Sequence, residues 1–168
     1  MSQPENLLAS LFRYKLWANS EILAVARTVD AAQNANERHA IIRILNHTYV
    51  VDRIFAGHLT NTPHQYSATN TEETPSLDDL AASISQSDAW YLDYVAGLSC
   101  ASVAEQMRFQ FTDGETGSMT RQEMLMHVVN HGSYHRGAAG RILAQLSIAP
   151  PKDTFTAFLH QAEPQRRI

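Results

Sequence analysis

The chain has 168 residues, 44% of them hydrophobic and 18% charged, with a formal net charge of −4. That balance describes one globular domain, residues 1–168, long enough to bury a core; it offers no basic surface to nucleic acid, and no apolar run approaches the ~20 residues of a membrane span. The single cysteine, Cys100, excludes an internal disulfide and a cysteine-rich zinc site, and with the polar start Met1-Ser2-Gln3-Pro4-Glu5 it predicts a reducing, cytoplasmic setting.

Residues 5–29 read as a first helix, because Leu7, Leu8, Leu11, Leu16, Ile22, Leu23 and Ala26 recur at helical spacing without Gly or Pro. After the polar break at 34–36, a second helix runs from about Glu37 to Leu59, with Ile41, Ile44, Leu45, Val51, Ile54 and Phe55 on its apolar face. Thr60-Asn61-Thr62-Pro63 ends it, since proline cannot continue a helix. The polar stretch from His64 to Pro75 is long for a loop and predicts a crossover or lid. Ser76 caps a third helix that closes near Gly97, with Asp78 and Asp79 in its first turn. Residues 107–115 alternate apolar and polar around Asp113-Gly114, the pattern of a small β-hairpin. Thr120-Arg121-Gln122-Glu123 is a capping box opening a fourth helix, about 121–146. Pro150 and Pro151 follow, and 154–159 suits a short turn of helix. The expected fold is therefore all-α: a four-helix bundle with a long crossover between helices 2 and 3 and a hairpin-like insertion before helix 4.

Three of the eight histidines, His127, His131 and His135, recur every four residues on the fourth helix, so neighbours share a face. His131 and His135 share their stripe with Val128, Ala138 and Ile142, which faces them inward, where an unpartnered imidazole is costly. One ion can take a nitrogen from each, but it needs a third ligand. His47 fits best, a polar ring on the face of Ile44, Val51 and Ile54. His127 with His131 is the competing pair; all three cannot share one ion, because His127 and His135 lie about 12 Å apart along the axis. His127 is then expected at the rim. Asp52 is a candidate acceptor behind a ligand ring, or a fourth ligand. His58 lies three turns from His47, and His39, His64 and His160 read as solvated. Gly132 follows His131, so the glutamate of the zinc-protease H-E-x-x-H pattern is missing.

Leu45-Asn46-His47-Thr48-Tyr49-Val50-Val51-Asp52-Arg53-Ile54-Phe55, His127 through Gly137, and Tyr14-Lys15-Leu16-Trp17-Ala18-Asn19 together resemble the second-, fourth- and first-helix motifs of the DinB (DinB/YfiT-like) superfamily of bacterial metal-binding bundles. The likeness covers nearly the whole chain. It implies a crossover four-helix bundle, often a homodimer, holding a divalent metal, zinc or nickel, on a histidine triad. Carried over, that triad is His47, His131 and His135. Ala138 stands where the family often has Gln, and Phe55 where Trp is common. Some members resemble thiol-dependent S-transferases and isomerases.

Three histidines with an open position suit catalysis rather than a closed structural site. The leading expectation is a metal-dependent enzyme that activates a small thiol or water, S-transferase-like or hydrolase-like, with Asp52 or His127 handling protons. Arg136 is a weaker candidate for an anionic substrate group, with a surface or dimer contact as the alternative. The competing expectations are a non-catalytic metal-binding or stress-response protein, and a bundle whose histidines simply pair in the core.

Overall fold

The computed structural model describes residues 7–167; the expected helix start at residue 5 and the polar N-terminus lie outside them. The elements run α1 (Leu7–Ala26), α2 (Ala35–Thr60), α3 (Leu77–Ala96), a one-turn α4 (Cys100–Val103), β1 (Gln106–Gln110), β2 (Thr116–Thr120), α5 (Arg121–Gln145), α6 (Phe155–Ala162) and a closing 3-10 turn, Pro164–Arg166. No helix among the described residues is long and apolar enough to cross a membrane.

Helix ends follow local chemistry. The Ser76 hydroxyl accepts the Asp79 amide at 3.1 Å and starts α3. At α5 the Thr120 hydroxyl accepts the Glu123 amide (3.3 Å) while the Glu123 carboxylate accepts the Thr120 amide (2.7 Å), the reciprocal pair the sequence predicts. The stop of α2 is set before Pro63. Asn61 turns left-handed at φ 52°, a conformation Asn tolerates better than most residues. The Asn61 and Thr62 amides then close on the His58 and Gly57 carbonyls at 3.2 and 2.9 Å, a Schellman ending.

Two apolar clusters fix the helix directions. One joins Phe12 of α1, Phe55 and Leu59 of α2, Tyr91 and Val95 of α3, and Leu125 and Val128 of α5. The other joins Ile22 and Ala26, Ile41 and Leu45, Leu80 and Ile84, and Ala139 and Leu143. The early part of α1 thus meets the late parts of α2 and α3 and the early part of α5. So α1 and α5 point one way and α2 and α3 the other. Each of the pair α1 and α2 packs on both α3 and α5, which closes a four-helix ring. Because α2 and α3 are parallel, residues 61–76 must carry the chain back along the bundle. The 20 residues of α3 are about 30 Å long, and a nearly extended linker of this length spans that distance. This is the long crossover expected between helices 2 and 3.

The crossover is strapped to α2 rather than loose. Asn46 Nδ2 donates to Asn70 Oδ1 and Thr71 Oγ1, both at 2.6 Å. Arg43 donates to the Thr71 carbonyl at 2.6 Å, and Asn70 returns a bond to the Arg43 carbonyl at 3.0 Å. The hairpin forms around Asp113-Gly114 with Gly114 at φ 93°. Its strands are longer than the sequence pattern suggests, pairing Gln106 with Thr120 and Phe109 with Gly117. Gly117 is required there, because a Cβ would sit 2.6 Å from the Phe109 ring. Phe109 docks the ribbon on the first apolar cluster, which supplies the packing a lone hairpin needs. Tyr14 and Trp17 pack with Phe158 of α6 in a third apolar cluster.

Candidate metal centre

His47 projects from α2 toward α5, where His131 and His135 stand one turn apart. Ring centroids lie 5.0 Å (His47–His131), 4.6 Å (His47–His135) and 4.4 Å (His131–His135) apart. One nitrogen from each ring falls within 4.8 Å of the others, a group that can hold a metal ion. His47 and His131 approach through Nε2 at 3.1 Å. Two imidazole nitrogens on one tetrahedral zinc-like ion would be about 3.3 Å apart, so this pair is already spaced for shared ligation. The crossover fixes the His47 ring. Its Nδ1 lies 2.7 Å from the Thr69 carbonyl; a carbonyl can only accept, so Nδ1 carries a proton and Nε2 is the nitrogen turned to His131. His131 Nδ1 is buried with no hydrogen-bond partner. The two facing Nε2 atoms are where an ion would be held, and His131 Nδ1 would then still need a hydrogen-bond partner of its own.

The electrostatics favour the uncharged form of His131 and His135, as ligation requires. His131 is pushed down to about 3, first by burial, then by His135, His47 and His127, with the Lys15 ammonium adding to them. Burial and His47 lower His135, and burial lowers His127. A depressed folded pKa means that His131 contributes its full stability above about 6.5, its unfolded value, and loses it as pH falls toward 3. In the metal-free protein the His131 imidazole is therefore expected to stay neutral down to about pH 4, with stability declining across the window below 6.5. Titration of the imidazole signals by NMR checks this. A midpoint for His131 near 6.5 would contradict it.

Beneath the triad lies a polar layer that separates the two apolar clusters. Lys15 of α1 is fully buried and donates to Asp52 Oδ2 at 2.6 Å and Asp88 Oδ1 at 2.7 Å. Asn19 donates to the other Asp88 oxygen at 2.8 Å and accepts from Arg136 at 3.0 Å. Arg136 also grips Asp153 at 2.7 Å and Ser133 at 3.1 Å, and Tyr14 donates to Asp153. Burial opposes the Lys15 charge, but the pulls of Asp52 and Asp88 outweigh it and raise its pKa. For Asp52 burial prevails over Lys15 and pushes the carboxyl up to about 6; its Oδ1 has no partner. The layer touches the triad at Gly132, where a Cβ would meet Arg136 Nη1 at 3.0 Å and Lys15 Cε at 3.5 Å.

His127 stacks on His131 at 5.3 Å and on Phe55 at 4.6 Å, at the rim of the triad. Asp52 hydrogen-bonds to none of the three histidines; its bond goes to Lys15. Arg136, weighed as a surface or dimer contact, is instead 2% exposed and committed to Asp153, Asn19 and Ser133. His64, read as solvated, has a buried, unpartnered Nδ1 and packs on His58 at 5.3 Å. Lys15, Asp88 and Asn19 were not anticipated. The signal was there, because Lys15 falls in step with Phe12, Ala18 and Ile22 on the buried stripe of α1.

Antiparallel helices of one bundle thus converge three imidazoles on a point, which defines a helical bundle protein with a histidine site suited to a metal ion. The chain belongs to the DinB family, whose model matches residues 1–167. It is similar to Protein DinB of Bacillus subtilis (strain 168), with 23% identity over 169 residues covering 93% of this chain and 95% of that one.

Proposed function

We propose that this protein is a metal-dependent enzyme that activates a small thiol, or water, at His47, His131 and His135, in an S-transferase-like or hydrolase-like reaction. The observation that carries the proposal is a group of three nitrogen ligands, with no fourth protein ligand among the described residues, whose residues are all partly solvent-exposed. Structural zinc sites close around four protein ligands, whereas catalytic ones keep a position open. A divalent ion of the zinc or nickel kind, held there, supplies Lewis acidity that draws the pKa of an arriving thiol or water toward neutrality.

The chain's own groups have distinct tasks in this reading. The Thr69 carbonyl orients His47 by taking its Nδ1 proton into a hydrogen bond. Lys15, clamped by Asp52 and Asp88, disfavours protonation of His131 and keeps it available as a ligand. Asp52 is therefore a positioning residue. His127, neutral, half-buried and stacked beside His131, is the group placed to accept the proton released by the nucleophile.

The test is a screen of metal-loaded protein against electrophiles in the presence of several small thiols. Turnover lost on His47→Ala supports the reading; turnover that survives that substitution unchanged removes the centre from the chemistry. Full metal retention with no turnover under any thiol would favour the non-catalytic metal-binding role.

A further inference from the structure

Along the α2/α5 seam from the triad, the crossover and the hairpin meet around a cleft of about 480 Å³, lined by His58, Thr62, His64, Tyr66, Arg108 and Phe109 among others. No Asp or Glu among the described residues lines it, although the chain carries a net charge of −4. Arg108 has no carboxylate partner among the described residues. His64 Nδ1 is buried without a hydrogen-bond partner. The cleft wall is set by tight backbone packing. A Cβ on Gly57 would lie 2.9 Å from the Thr62 carbonyl and 3.3 Å from His64 Cβ, so only glycine lets the loop close on the helix here.

The cleft is aligned with the triad. His58 follows His47 by eleven residues, three turns of the same helix, which places it on the same stripe about 16 Å along the axis. A run of rings connects the two places: His131 to His127 at 5.3 Å, His127 to Phe55 at 4.6 Å, Phe55 to His58 at 5.7 Å and His58 to His64 at 5.3 Å.

We propose that this cleft binds an oxyanion, a carboxylate or phosphate carried at the far end of the substrate whose reactive group sits at the three histidines. Arg108 supplies the charge and the imidazoles of His58 and His64 supply ring donors, the set that recognises an oxyanion. The substrate is then an extended molecule of about 16 Å, the reach of four to five residues of extended chain. The inference rests on the metal-enzyme reading for the substrate's reactive end, but the anion site stands on its own residues.

The test is calorimetric titration of metal-loaded protein with inorganic phosphate and, separately, with succinate. Saturable binding of at least one probe is expected, weakened at least about 10-fold by Arg108→Gln and accompanied by NMR shifts of the His58 and His64 rings. His47→Ala should leave that affinity within about two-fold, because the cleft is a separate place. The probe that binds more tightly names the group. The proposal is overturned if neither probe saturates, if Arg108→Gln changes nothing, or if His47→Ala alone abolishes binding, which would put the anion at the histidines. Arg108-dependent binding in a protein without turnover would keep the anion site and sink the enzyme reading.

Discussion

Alanine at His131 is expected to lower metal affinity by more than about 100-fold, since changes to groups merely supporting a ligand already cost 10- to 100-fold. His131 lies 5.0 Å from His47 and 4.4 Å from His135 by ring centroid. No other histidine is placed to substitute, because His127 stacks against Phe55 on the far side of His131. The loss should not reflect misfolding. His131 is half-buried with an unpartnered Nδ1 in the metal-free protein, and burial disfavours its charged form. The wild type loses stability through it as pH falls from about 6.5 toward 3, and the variant has no such loss. Metal-free His131→Ala is therefore expected to match or exceed the wild type in urea at pH 4.5, while its metal content after gentle, tag-free purification drops close to zero. Elemental analysis of both proteins decides the matter. Equal metal in the two, or less than stoichiometric metal in the wild type, would mean that these histidines do not hold an ion.

The parts of the site legible in the sequence were those written as spacing along one helix. His131 and His135 are four apart, and His47 interrupts the face of Ile44, Val51 and Ile54; both patterns place a side chain on a stripe, and stripes meet in a bundle. The crossover was legible because a polar run of that length has few other uses in a compact domain. Rotation about the helix misled the reading of Asp52. Five residues from His47 is about 140° round α2, so Asp52 turns to α1 and finds Lys15. Arg136 is rotated likewise from His135 and meets Asn19 and Asp153. Thr69 and Asp153 lie beyond any local pattern, since each reaches its partner only after the chain has folded back. Lys15 was missed for a different reason. A lysine on an apolar stripe ordinarily extends its stem to put the ammonium in water, and only tertiary structure shows two carboxylates waiting inside.

That buried ammonium carries the second large expected effect. Lys15→Met should destabilise the protein by about 3–5 kcal/mol at pH 7.5, the range for removing one partner of a buried charge pair and a large share of a typical domain's 5–15 kcal/mol. Methionine keeps most of the volume, so the effect isolates charge from packing. Asp88 retains Asn19 at 2.8 Å, whereas Asp52, already pushed up to about 6 by burial and with Oδ1 unpartnered, loses the cation that held it ionised. In the variant its folded pKa must rise further above the unfolded value near 3.9. A carboxyl raised on folding contributes its stability in full below the unfolded pKa and loses it as pH rises through the folded one. The gap between variant and wild type should thus widen from pH 4.5 to pH 7.5. The His131 contribution should largely cancel, because both proteins carry it. Adding Asp52→Asn to Lys15→Met should recover part of the loss at pH 7.5 and remove much of the pH dependence. Urea midpoints at the two pH values measure all of this. A variant within about 1 kcal/mol of wild type at both, well below the cost of a stranded buried charge, would show that water or a shifted side chain reaches the layer and that Lys15 does not hold Asp52 charged.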